Sequence, residues 1–436
     1  MTEYAGKVLM LVENLFPTDP RVRREASTLV QAGYKVSVIA LRRNESKSRE
    51  IVNGVHVYRI PRIELFKKGV RKKSWFSKLR YYIGSTIGYA IEYFYFTAGC
   101  YFLSFYVLVR EGFDVVHVHN PPDTLFLIGA FYKLLGKKFV FDHHDLSPEL
   151  YLSRFAVRGG LMYRGLLLVE KLCLRAADLV IATNESYKKI IIERGNKKPE
   201  QVFVVRNGPD LDRIQLRAPD PGLKKLNKKI LGYVGAMNPQ DGVDYLLRAL
   251  QHLVYEMGRK DFYCVIIGSG DSRRSLQALA EELRIREFVW FTGFIPDEDV
   301  LRYLSTADIC VDPDPSSPLN DVSTWIKIME YMALGKPIVS FDLAETRVSA
   351  QQAALYAAPN DEKAFARAIV RLMDDPQLRA KMGAFGRKRI EQELAWHHGA
   401  KNLLVAYHAL LPKTKENTRD IGVAKPDSHE LVRASS

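Results

Sequence analysis

The chain is poor in cysteine. It has four in 436 residues, and none stands in a C-x-x-C spacing, which argues against a disulfide framework or a thiolate metal site. Cys100, Cys173, Cys264 and Cys310 are scattered among apolar neighbours and read as reduced core thiols, which places the chain in the cytoplasm. The first apolar run, KVLMLVENLF, is too short and wrongly flanked to read as a secretory leader and reads instead as a first buried strand. Internal repeats and long low-complexity tracts are absent, so no repeat architecture is expected. What remains is ordinary globular composition, 47% hydrophobic and 26% charged, on a chain long enough for two or three domains. The net charge of +14 is the exception, and it implies an anionic partner: nucleic acid, an acidic membrane surface or a phosphorylated ligand.

Short apolar runs alternate with helical patterns along most of the chain. KVLMLV, KVSVIA, HVYRI, DVVHVH, KFVFDH, DLVIAT and VFVVRN read as strands in the first half. ILGYVG, FYCVIIGSG, VWFTG, ADICVD and KPIVSF read as strands in the second. Helical periodicity falls between them, at 21–31, 161–176, 243–255 and 272–283. Such alternation predicts an α/β fold of two doubly wound, parallel-sheet domains. The Pro-, Gly- and charge-rich stretch 207–229 marks the break between domains 1–208 and 209–395, and the polar tail 413–436 reads as disordered.

Two doubly wound domains leave a cleft at the carboxyl ends of their strands, where α/β proteins hold ligands. Polar residues stand at several such ends: His117, His119 and Asn120; His143, His144 and Asp145; Asn207 and Gly208. The second half offers Gly235, the GSGD of 268–271 with Gly268 and Gly270, Gly293, and DPDPSSPLNDVST leading into a helix. That helix, in STWIKIMEYMALGKPIVSFD, has Ser323 as its expected N-cap and Gly335 as its expected C-terminal stop. Glu330 would lie on its apolar face, a costly place for a charge without a partner. The partner is either Lys327, in a helix-surface ion pair, or a ligand. The loop 320–324 runs into the helix N-terminus, whose free N–H groups and dipole favour an anion. With Lys327 one turn in and Glu330 one turn further, the helix would grip a nucleoside diphosphate, phosphate first and ribose second.

Taken in order, DVVHVHN, FDHHDLSPELY, ADLVIATNES, VVRNGPDLDR, LGYVGAMNPQDGVDYLLRAL, IIGSGD and MEYMALGKPIVSFD resemble the retaining glycosyltransferases of family 4 over nearly the full length. The resemblance implies the GT-B fold, two Rossmann-like domains facing each other across a deep cleft. The N-terminal one would hold the acceptor, the C-terminal one the nucleotide sugar, and a helix at 396–412 would cross back to the first. It makes Glu330 the ribose ligand and His119 the catalytic-site histidine near the transferred sugar. His144 and Asn207, with Asn120 and Asp145 beside them, would line the cleft, and the backbone at Phe294 and Ile295 would meet the base. Three positions depart from the family pattern. The first glutamate of the motif falls at Val322, which leaves Asn320 or Asp321 for the sugar hydroxyls. The diphosphate arginine and lysine fall at Ala236 and Asp241. Lys327, with Ser323 and Thr324 beside it, and Arg21 and Arg24 from the other domain are the expected replacements. Members of this fold generally need no catalytic metal and no cofactor, so DPD at 312–314 reads as a proline-linked turn rather than a metal pair. The four histidines 117, 119, 143 and 144 have metal-compatible spacing, and no metal is expected there either.

The implied activity is hexosyl transfer from a nucleotide-diphospho-sugar to a hydroxyl acceptor, with retention, in cell-surface polysaccharide synthesis. Two rival functions are a sugar-nucleotide 2-epimerase of the same fold and a basic nucleic-acid-binding protein. The second lacks any aromatic–basic recognition motif, so no nucleic-acid partner is expected. The segment 67–109 joins Lys67, Lys68, Arg71, Lys72, Lys73, Lys78 and Arg80 to a stretch dense in Tyr and Phe. It reads as a contact with an anionic membrane, the alternatives being a core helix or a membrane span. Such a contact suits a polyprenyl-linked or other lipid-linked acceptor and a peripheral location on the cytoplasmic face.

Overall fold

The structure, a computed structural model, describes residues 4–43, 46–63, 75–155 and 160–411. Residues 67–74 of the basic cluster and the tail 413–436 lie outside the described residues. The apolar runs become the strands of two sheets because each is covered on both faces, which is why they are continuous rather than alternating.

The first sheet contains β1 (Lys7–Leu15), β2 (Lys35–Arg42), β3 (Arg49–Val52), β4 (Val55–Pro61), β5 (Val115–His119), β6 (Lys138–His143), β7 (Leu179–Ala182) and β8 (Val202–Val204). Their order is β3-β4-β2-β1-β5-β6-β7-β8, parallel except for the β3–β4 pair. The second contains β9 (Lys229–Val234), β10 (Phe262–Ile267), β11 (Val289–Gly293), β12 (Ile309–Asp312), β13 (Ile338–Phe341) and β14 (Ala354–Ala357). Their order is β11-β10-β9-β12-β13-β14. Strand order reverses between β1 and β5 and again between β9 and β12, and these reversals open the crevices where ligands enter such sheets.

Two predicted features need correction. β3 and β14 were not among the expected strands. REIV is short, charged and exposed on alternate residues, and ALYA is half alanine, so neither makes an apolar run. The helix carrying Glu330 is Ile326–Ala333, with Trp325 rather than Ser323 at its N-cap. Ser323 ends a short turn, Asn320–Val322, and its hydroxyl donates to the Leu319 carbonyl at 2.7 Å. Gly335, at φ 63°, terminates the helix in the left-handed region.

Helices Trp75–Arg110, Phe126–Leu134, Leu161–Ala176 and Glu185–Gly195 cover one face of the first sheet, around Phe96, Tyr132, Leu174 and Ile191. Pro20–Gln31 and Trp396–Leu410 cover the other, around Val22, Leu403 and Tyr407. The last helix follows the second sheet in sequence yet packs on the first. Trp396 Nε1 donates to Thr28 Oγ1 at 3.1 Å, and the Tyr407 hydroxyl meets His117 Nδ1 at 2.9 Å. The chain therefore passes between domains twice, and the passages touch: a Cβ on Gly208 would stand 1.8 Å from the Leu394 carbonyl oxygen. Only glycine allows that approach.

Candidate active site

The two domains meet beside the cleft through the N-terminus of Glu185–Gly195. Asn184 caps that helix and sends its Nδ2 to the Val322 carbonyl and Thr324 Oγ1, both at 2.9 Å. Tyr187 and Ser323 join hydroxyls at 3.0 Å, and Ser186 donates to Glu345 at 2.6 Å. Next to this junction lies a cavity of about 550 Å³. The first domain contributes Arg21, His144, Asp145 and Asn207 to its wall; the second contributes Gly235, Ser323, Thr324, Lys327 and Glu330. Those nine were anticipated. Trp325, Gln240 and Tyr187 also line it and were not.

Four lining side chains carry buried polar atoms without a hydrogen-bond partner: His144 Nε2, Asn207 Oδ1, Gln240 Oε1 and Trp325 Nε1. Buried polar groups are almost always satisfied, so such a set in one cavity marks where a polar ligand would sit. Glu330 lines the same cavity. Burial raises its pKa, the Arg24 guanidinium opposes that rise, and Asp297 adds to it. Arg24, reaching from the other domain, is itself buried with Nε and Nη2 unpartnered and rests 5.4 Å from the Trp396 ring.

Lys327 does not pair with Glu330, and its charge is not free. Its Nζ lies 3.0 Å from Asp312 Oδ1 and 2.5 Å from Asp314 Oδ2, with the Tyr233 and Trp325 rings at 5.1 and 5.4 Å. Burial alone would lower the ammonium's pKa, but Asp312 and Asp314 outweigh it and hold it well above its ordinary value. The expectation that Lys327 supplies diphosphate charge is therefore corrected. DPD, expected as a proline-linked turn, holds both of its aspartates fully buried, where they anchor this lysine.

Several other anticipated residues stand outside the cavity. Asn320 is fully buried and ties Gln240 O and Pro315 O, at 2.9 and 2.8 Å. Asp321 accepts from Ser316 Oγ at 3.1 Å, and Val322 packs against the N-terminal core. Gly268 and Gly270 serve close packing, since added Cβ atoms would meet Gly235 O at 2.0 Å and Met237 O at 2.5 Å. Gly293 ends β11 and its carbonyl accepts from Gly268 N. Phe294 is 86% exposed, and Ile295 packs on the C-terminal core. Asn120 links two strand-end loops, bonding Asp123, the Asp145 carbonyl and the amides of His144 and Asp145.

The histidines divide by strand face. His117 and His119 point together under Pro20–Gln31, stacked with ring centroids 4.3 Å apart. His143 faces the other way, 3.2 Å from Glu170. Asp142 Oδ2 lies 2.8 Å from His119 Nδ1 and 3.3 Å from His144 Nδ1. Burial would raise the Asp142 pKa, but the two histidines hold it well below the usual range, so it is ionised and only accepts. Both imidazoles then donate to it from Nδ1, which leaves each Nε2 directed away from Asp142. His144 turns its Nε2 to the cavity, whereas His119 is 1% exposed and does not line it. Glu25, His117, His119 and Asp142 offer donor atoms within 4.8 Å of one another. His143 and His144, grouped with them by spacing, are not in that set. The charge there has protein partners, since Arg21 and Arg24 both act on Glu25.

Two dinucleotide-type domains with a polar cavity at their carboxyl ends define the architecture of a GT-B nucleotide-sugar transferase. Residues 21–213 match the family described as Glycosyltransferase Family 4, and residues 228–375 match Glycosyl transferases group 1. The chain belongs to glycosyltransferase family 4. It is 24% identical over 420 residues to a D-inositol 3-phosphate glycosyltransferase of Corynebacterium urealyticum, covering 89% of each chain. Sucrose-phosphate synthase of Thermosynechococcus elongatus shares the fold with a TM-score of 0.69 at 20% identity, over 93% of this chain and 99% of that one. Anabaena HepE, solved with UDP-glucose, superposes with a TM-score of 0.67 at 17% identity, over 93% of this chain and all of that one.

Proposed function

We propose that this glycosyltransferase moves a hexosyl unit from a nucleotide-diphospho-sugar to a hydroxyl of a lipid-linked glycan, with retention, on the cytoplasmic face of a membrane. The observation that carries the reading is the cavity itself: Glu330 and four unpartnered polar atoms converge between two parallel sheets. Glu330 receives the ribose hydroxyls, which a carboxylate can accept together. Because Lys327 is paired with Asp312 and Asp314, the diphosphate draws its counter-charge chiefly from Arg24, whose Nε and Nη2 are unpartnered, with Arg21, itself paired with Asp19, beside it, and from the free N–H groups opening Ile326–Ala333. A UDP-glucose complex in a neighbour of this fold supports the donor class. Family resemblance supports a front-face route in which the leaving diphosphate helps deprotonate the acceptor, its growing charge stabilised by preset donors. Neither a metal nor a cofactor takes part in this scheme.

Glu330→Ala tests it. Transfer should fall by about a hundredfold or more, with the loss shared between donor affinity and turnover because ribose contacts also position the sugar. Near-normal turnover with unchanged donor affinity would remove the ribose role.

A further inference from the structure

Three neighbouring helices on the outer face of the first domain leave large apolar side chains in the open. Trp75–Arg110 exposes Phe94, Phe102 and Val109, Phe126–Leu134 exposes Leu127 and Leu134, and Leu161–Ala176 exposes Leu161 and Leu168. Val109, Leu134 and Leu161 reach 89%, 86% and 89% exposure. The helices are contiguous. Tyr101 and Phe105 of the first set their rings 5.3 and 5.6 Å from Phe131 of the second. Cys173 of the third donates to the Asp123 carbonyl just ahead of the second.

The exposed charges on these three helices have one sign, although Lys133 pairs with Asp178 and Arg110 with Glu111 at their ends. Among the described side chains, the exposed charges on the three helices are Arg110, Lys133, Arg164, Lys171 and Arg175. The acids are withdrawn: Glu170 is fully buried against His143 and Arg194, and Glu92 is half-buried. A two-fold partner copy would set basic against basic, which disfavours self-association through this face. Exposed apolar side chains interspersed with basic ones fit the interface of an anionic bilayer. Among the described residues no helix is long and apolar enough to cross a membrane.

We propose that this three-helix face is the membrane-docking surface, lying flat on anionic lipid with Phe94, Phe102, Leu127, Leu134, Leu161 and Leu168 at the acyl boundary. The proposal deepens the lipid-linked acceptor reading above by giving it a surface well beyond segment 67–109, and its observations do not depend on that reading.

The test is flotation with vesicles of phosphatidylcholine, alone or mixed with phosphatidylglycerol. The full chain is compared with a Leu134→Glu, Leu168→Glu variant and a Phe102→Glu variant, and UDP and GDP binding and light-scattering mass are measured in parallel. All three positions are exposed, so the variants should keep wild-type nucleotide binding. Wild-type protein should float with the anionic vesicles alone, and the double variant should bind them about tenfold more weakly or worse. Absence of flotation with anionic vesicles, or variants that float like wild type, would overturn the surface. So would a wild-type dimer that the variants dissociate, since a second copy would then cover the face. Failure of nucleotide binding in the wild type would instead strike the donor reading and leave the vesicle result to stand alone.

Discussion

Replacing Lys327 with methionine keeps the length of the side chain and removes the ammonium from between Asp312 and Asp314. Both aspartate side chains are fully buried and the lysine is 9% exposed, so solvent cannot take over the lost charge. Removing one partner from a buried ion pair costs about 3–5 kcal/mol, because the remaining charge stays desolvated. At about 2–4 °C per kcal/mol for a domain of this size class, the melting temperature should fall on the order of 10 °C. The deficit should depend on pH. Burial and repulsion from Asp312 already raise the Asp314 carboxyl well above its ordinary value, and Lys327 is what opposes them. Without the lysine that carboxyl is pushed higher still. The folded variant then binds a proton the unfolded chain does not, so its stability falls as pH rises above the ordinary carboxyl range. Thermal unfolding at pH 5 and pH 8, monitored by circular dichroism, should show the larger deficit at pH 8. Adding Asp314→Asn should restore part of the loss. A Lys327→Met protein that melts like wild type but binds UDP or GDP poorly would refute the reasoning and return the ammonium to the diphosphate.

Three further outcomes follow from the same geometry. His119→Ala should lower turnover far more than nucleotide affinity, by releasing Asp142 and the His144 ring, and His144→Ala should reproduce the effect; equal loss of nucleoside-diphosphate binding in steady-state and calorimetric measurements would place both wrongly. Burial, opposed by Arg62 and aided by Glu92, raises the Glu13 carboxyl from 4.5 to about 7. That acid therefore stabilises the fold least at high pH, and Glu13→Gln should gain up to about 3 kcal/mol over wild type at pH 8 and little at pH 4.5, read by chemical denaturation. Transfer should survive excess EDTA; a loss restored by manganese would give Asp312 and Asp314 a metal in place of Lys327.

The sheets were legible because a parallel strand buried on both faces writes itself as an unbroken apolar run, as in KVLMLV or FYCVII. The edge strand β3, short, charged and exposed on alternate residues, has no such signature. Strand-end polar residues pointed to the right cleft, yet which of them reach it depends on side-chain direction. His119 is sealed in behind His117, which stacks on it and is itself met by Glu25 and by Tyr407, the latter 290 positions from His117 in sequence. His144 stands one residue past the end of β6 and so escapes the strand's alternation. Lys327 looked like a ligand because its partners come from another strand end, and nothing local announces that Asp312 and Asp314 turn inward. Trp325 and Gln240 were missed for the opposite reason: a tryptophan N–H or an amide oxygen becomes a site group only when the fold buries it unpaired.

Whether the cleft transfers sugar with retention is decided most directly by product analysis. The protein is incubated with a panel of nucleotide sugars and a short lipid-linked acceptor, and the products are resolved by mass spectrometry and proton NMR of the anomeric centre. The account predicts acceptor-dependent release of nucleoside diphosphate, matched by a new glycoside whose anomeric configuration is that of the donor, and lost in Glu330→Ala. A glycoside of inverted configuration, or a 2-epimerised nucleotide sugar formed without acceptor, would contradict it.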